Sequence, residues 1–113
     1  MTILLHICSA QAWSEARRRG EYRADSLDTE GFIHCSTLEQ VAKTANRFYA
    51  GQTDLVLLVI AAERVLAAIR YEAADADLFP HVYGPINLDA VLEVQSFSPA
   101  ADGTFEPPHL SSR

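Results

Sequence analysis

Residues 32–49, FIHCSTLEQVAKTANRFY, change period part-way along. Phe32 to Cys35 has the character of a short strand. From Leu38 onward the apolar positions Leu38, Val41, Ala42, Ala45, Phe48 and Tyr49 fall on one helical face, with Glu39, Gln40, Lys43, Asn46 and Arg47 on the other. Ser36-Thr37-Leu38-Glu39 has the form of a capping box, in which a hydroxyl and a carboxylate satisfy the first free N–H groups of a helix. The stretch therefore predicts a strand running directly into a helix that starts at Ser36 and is ended by Gly51.

Working outward, residues 3–8 (ILLHIC) read as a first strand and Ser9 as the N-cap of a helix that carries Ala12, Trp13 and Ala16 on one side and stops at Gly20. Residues 21–31 are polar and acidic, the pattern of an exposed connection with a short extended piece around Tyr22. Leu55 to Ile60 is unbroken apolar sequence, as for a central strand covered on both faces. Ala61 to Ala68 fits a short helical turn, and Ile69 to Glu72 alternates like a more exposed strand ahead of a loop at Asp75 and Asp77. Phe79-Pro80-His81-Val82-Tyr83-Gly84-Pro85 is expected to be an ordered loop or an edge, because its prolines lack N–H donors. Residues 90–97 supply a last strand, so residues 1–97 form a single α+β domain, and 98–113 form a loosely held tail.

With 113 residues there is room for one core. Apolar residues make up 49% of the chain and charged ones 21%, which argues against disorder. The longest apolar run, Leu55 to Ala62, falls short of the roughly 20 residues that cross a bilayer, so no membrane partner is expected. A net charge of −6 argues against nucleic acid as partner. The basic run Arg17-Arg18-Arg19 is explained by the dipole at a helix C-terminus. Met1 to His6 lacks a basic leader, and Cys8 and Cys35 show no CxxC spacing, so the expectation is a cytoplasmic protein with reduced, buried thiols.

Chemistry concentrates in the histidines. Three of the four lie in strand-like or proline-bounded segments with a polar or reactive residue two positions on: His6 with Cys8, His34 with Ser36, His81 with Tyr83. Two-residue spacing puts both members of a pair on one face of extended chain. Imidazoles buried without partners cost about a few kcal/mol each, so these rings either bond one another and the backbone or line a wet cleft. Ser36 at a helix start would sit beside N–H groups that suit an anion. No metal site is expected, since only His6 and Cys8 have ligand-like spacing. Nor does a Cys–His nucleophile follow, because Cys35 alternates away from His34 and nothing clearly activates Cys8.

The motif Gly31-Phe32-Ile33-His34-Cys35-Ser36, with Gln40, Ala45-Asn46-Arg47-Phe48 and the later Phe79 to Pro85, resembles a small bacterial family, domain of unknown function 952, from about His6 to Val94. That resemblance implies a fold similar to the ADP-ribosyltransferase superfamily, a split mixed or antiparallel β-sheet with flanking helices and NAD as a possible cofactor. It also implies which positions would surround a nicotinamide ribose: His6, then His34 and Ser36, then Glu72 or Glu93. The His34/Ser36 pair is similar to a motif of RNA 2′-phosphotransferases. The resulting expectation is a cleft lined by His6, His34, Ser36, His81 and Tyr83 that binds a nucleotide-like or phosphate-bearing small molecule. Alternatives are a transferase with His34 and Glu72 as catalytic residues, a scaffold or interaction domain, and a metal-dependent hydrolase.

Overall fold

The computed structural model describes residues 1–110. In chain order its elements are β1 (Ile3–Ser9), α1 (Ala10–Arg19), β2 (Glu21–Tyr22), α2 (Ser26–Thr29), β3 (Ile33–His34), α3 (Val41–Phe48), β4 (Leu55–Ala61), β5 (Ala68–Ala74), β6 (Asp77–Tyr83), β7 (Ile86–Asn87) and β8 (Val91–Ser96). Every strand pair among the described residues is antiparallel, which decides between the mixed and antiparallel forms of the expected sheet. None of these helices is long and apolar enough to cross a membrane.

The strands form a sheet β1-β4-β8, a second sheet β3-β6-β5 and a small ladder β2-β7. β4 lies at the centre of the first sheet and divides the core by strand alternation. Leu58 and Ile60 pack with Leu4, Ile33, Val82 and Ile86. Leu57 and Val59 face the opposite way, toward Leu5, Val41, Ala45 and Phe105. All four β4 side chains are fully buried, each contributing about 1.5–3 kcal/mol relative to exposure, and this accounts for the unbroken apolar run. The two larger sheets touch through a backbone bridge in which Leu5 and Ser36 exchange N–H to O bonds of 2.8 Å.

That bridge corrects the predicted start of α3. Ser36 is paired with Leu5 on β1, and the helix begins only at Val41 after a turn, too far along the chain for Ser36 to cap it. One half of a capping box lies one residue on. The Thr37 N–H donates to Gln40 Oε1 at 3.0 Å, so Gln40 does what Glu39 was expected to do, while the Val41 N–H makes an ordinary backbone bond to the Thr37 carbonyl at 3.1 Å. Gln40 Nε2 also donates to the Leu78 carbonyl at 2.7 Å, tying the start of α3 to β6. α1 follows its predicted chemistry: Ser9 accepts from the Ala12 N–H at 3.0 Å, and Gly20, at φ +89°, closes it.

The segment expected to be a loop or edge is corrected more sharply. β6 is the middle strand of its sheet, paired with β5 from Asp77 to Tyr83 and with β3 at Val82 and His81. Pro80 is tolerated because in an antiparallel strand one residue's N and O point to the same neighbour. Its carbonyl accepts from the Cys35 N–H at 3.0 Å, so its missing donor faces the place where β3 has already ended. β5 and β6 are joined by Asp75 and Ala76, both at positive φ (50° and 65°), as a type I′ hairpin turn requires.

The exposed connection at 21–31 contains the short extended piece expected at Tyr22, which pairs with Ile86 and is buried. The C-terminal segment, expected to be loosely held, is anchored at Phe105, which is buried against Phe97 with ring centroids 5.0 Å apart. Asn46 holds the Phe105 backbone from both sides, accepting from its N–H at 2.7 Å and donating to its carbonyl at 3.0 Å. The last three residues of the expected tail, 111–113, lie outside the described residues.

Candidate functional site

A cavity of about 560 Å³ lies at the Leu5–Ser36 bridge, and both bridge residues line it. β1 lines it with His6 and Cys8, β2 with Tyr22, the β3 segment with His34 and Ser36, and β6 with His81. Its volume lies in the range of about 300–1,000 Å³ usual for small-molecule pockets. The exposed Asp25 and Asp75 also line it, at its mouth.

His6 sits 2.6 Å from the His34 carbonyl through Nδ1 and 2.7 Å from the Tyr22 hydroxyl through Nε2. A carbonyl only accepts, so Nδ1 carries the ring proton and Nε2 accepts from Tyr22. Burial pushes the ring down from 6.5 to about 4, keeping it neutral. His6 thus presents the cavity with a ring whose two nitrogens are already used. Burial pushes the Cys8 thiol up to about 11 and the Cys35 thiol up to about 12; both are free, protonated thiols at neutral pH rather than nucleophiles.

His34 and His81 face each other across the β3–β6 ladder, with ring centroids 5.3 Å apart and nearly perpendicular planes. The His34 ring is half exposed and its Nε2 lies 3.1 Å from Glu30 Oε2. His81 is buried, stacked on Phe32 at 4.1 Å, with Nδ1 2.8 Å from Glu72 Oε1. The Tyr83 hydroxyl donates to the same oxygen at 2.5 Å. Those two donors, Tyr83 first, hold the Glu72 carboxyl below the usual glutamate range, and Glu72 in turn raises the Tyr83 hydroxyl. Nε2 of His81 has no hydrogen-bond partner among the described residues. A buried polar atom in that position costs about 1–3 kcal/mol unless something bonds it.

Of the residues singled out in the sequence, His6, His34, Ser36 and His81 come together on the cavity wall. Tyr83 and Glu72 stand outside the lining and reach it only through the bond between Glu72 and His81. Glu93 is on β8, opposite Val59, away from the cavity. Ser36 has lost the helix-start position that would have given it neighbouring free N–H groups. Sequence reasoning missed Tyr22, Phe32 and Glu30. Tyr22 had a signal, a lone aromatic in a polar stretch; Phe32 lay two positions before His34, on the same strand face. Among the described residues no group of three His, Cys, Asp or Glu side chains is placed to hold a metal ion.

Comparison with known proteins bears on this arrangement. The family described as protein of unknown function DUF952 matches residues 7–94. The chain belongs to this family. The DUF952 match runs from β1 into β8 and takes in His34, Ser36, Glu72, His81 and Tyr83, while His6 stands one position before it. The crystal structure of protein CC0527 from Caulobacter crescentus is similar, at 32% identity and a TM-score of 0.85, over 93% of this chain and 94% of that one. Its solution NMR structure gives 32% and 0.80, over 94% and 93% respectively. No curated protein matches the chain. What these relatives support is the DUF952 family and its α+β fold; none of them points to an ADP-ribosyltransferase.

Proposed function

We propose that this DUF952 protein binds a small ring-bearing molecule of nucleoside type in the cavity between its two sheets. The observation that carries this reading is the convergence of His6, His34 and His81, from three distant strands, on one cavity of about 560 Å³. Stacking surfaces are at hand in Tyr22 and Phe79, and neutral hydrogen-bonding groups in Ser36 and Thr44.

The charge pattern narrows the expected ligand. Arg23 lies 3.3 Å from Asp28, Arg47 lies 3.1 Å from Asp75, and Asp25 adds a further negative charge at the mouth. A diphosphate, as in NAD or ADP-ribose, meets acidic neighbours there and, among the described lining residues, no arginine free of an acidic partner, so the nucleoside portion fits better than the phosphates. Transferase chemistry is supported less well. It needs a carboxylate at the reacting carbon, whereas Glu72 is engaged by His81 and Tyr83 and Glu93 is remote.

A thermal-unfolding panel of adenosine, AMP, NAD, ADP-ribose, inorganic phosphate and zinc tests this. A ligand that binds only the folded state stabilises it by RT ln(1 + [L]/Kd), about 2.7 kcal/mol at a hundredfold excess over Kd. For a domain of this size that is a rise of roughly 10 °C or more in Tm. Adenosine is expected to give the rise and phosphate alone none. A blank for adenosine, or an equal response to phosphate alone, removes the nucleoside reading.

A further inference from the structure

We propose that Glu72 and His81 form a proton-accepting pair that serves the cavity, with His81 Nε2 as the base for a hydroxyl of the bound molecule. The proposal deepens the binding reading above and rests on it for the ligand, while its geometry stands on its own. Neutral imidazole carries one ring proton. Glu72, a carboxylate held by the Tyr83 hydroxyl, accepts at Nδ1 over 2.8 Å and so keeps that proton on Nδ1. The lone pair is left on Nε2, the buried atom without a partner among the described residues.

Nδ1 and Nε2 leave an imidazole ring in nearly opposite directions. With Nδ1 turned to Glu72 on β5, Nε2 leaves the other side of the ring as a buried atom, and His81 is among the residues that line the cavity. Phe32 stacked at 4.1 Å and 19° fixes the ring plane. The arrangement is that of a histidine base oriented by a carboxylate, with Tyr83 positioning the carboxylate. In the step itself the ligand O–H bond breaks, an N–H bond forms at Nε2, and the electron pair stays on the ligand oxygen. Glu72 offsets the charge of the imidazolium. The other charged and titratable groups near the ring are Arg70, opposite His81 and over the Tyr83 ring, and His34 with its partner Glu30.

The test is nitrogen NMR of the histidine rings in the full chain, free and with adenosine. The expected result is a single His81 tautomer protonated on Nδ1 with a bare lone pair on Nε2. Glu72→Gln, which keeps an acceptor without the charge, retains that tautomer, whereas in Glu72→Ala the tautomers mix. A proton found on Nε2, or a tautomer that is unchanged in Glu72→Ala, overturns the proposal. Adenosine separates the two readings. A shift of the Nε2 resonance toward that of a hydrogen-bonded nitrogen supports both, and bound adenosine that leaves Nε2 unmoved overturns the base. Adenosine that moves no cavity resonance, with the tautomer as expected, counts against the nucleoside ligand alone.

Discussion

Both nitrogens of His6 are engaged, and burial keeps the ring neutral down to a pH of about 4, against 6.5 for an ordinary histidine. Between those values the unfolded chain binds a proton that the folded chain refuses, so stability falls as pH is lowered through that window and is insensitive to His6 above it. The full effect is on the order of 3 kcal/mol at roughly 1.4 kcal/mol per pH unit. Glu72 acts in the same direction at lower pH, since its stabilising contribution is present above the usual glutamate range and is lost on acidification. Urea unfolding at pH 7.5 and 4.5 checks this, and equal midpoints would show that His6 can charge without cost. At this scale the sequence was informative about position and less so about role. The two-residue spacing placed His81 and Tyr83 on one face, where both reach Glu72. It could not show that His6 is saturated while His81 has a nitrogen to spare, because the deciding partners, the His34 carbonyl and Tyr22, lie 28 and 16 positions away.

Among elements, the helix 41–48 was legible because its apolar positions are periodic, and strand 55–61 because its apolar run is long and unbroken. The register of the helix start was not. Ser36 and Thr37 both begin a capping-box pattern, and the choice is made by the pairing of Ser36 with Leu5, which is non-local. β6 was hidden for a related reason, since a proline excludes a central strand only if its nitrogen faces a paired neighbour, and that of Pro80 does not. The β5–β6 hairpin carries a local mismatch of its own. Its type I′ turn places Ala76 at φ 65°, where an L-residue with a Cβ loses about 1–2 kcal/mol. Ala76→Gly is expected to raise stability by about 0.5–1 kcal/mol after the added unfolded-state entropy is subtracted. A denaturation midpoint that stays put or falls would contradict this account of the turn.

At the scale of the molecule, the α+β class followed from composition and pattern, but the way the sheet splits did not. Two sheets joined at one bridge look the same in sequence as one continuous sheet, because alternation reports the face a residue points to and not the strand beside it. The C-terminal segment was misjudged through its prolines and serines. Phe105, the aromatic among them, is what fixes it, with Asn46 clamping its backbone. Phe105→Ala removes a buried ring shared with Phe97, Leu57 and Val59, and the expected loss is about 3 kcal/mol of unfolding free energy. A loss below about 0.5 kcal/mol, the scale of an ordinary surface change, would mean that the segment merely rests on the domain.

The Leu5–Ser36 joint and the facing of His34 on His81 also set when the cavity can exist. Its walls come from β1, β3 and β6, so a chain still being synthesised on the ribosome and stopped before His81 has no complete pocket. The hollow is therefore a late product of synthesis, absent from truncated or half-assembled copies.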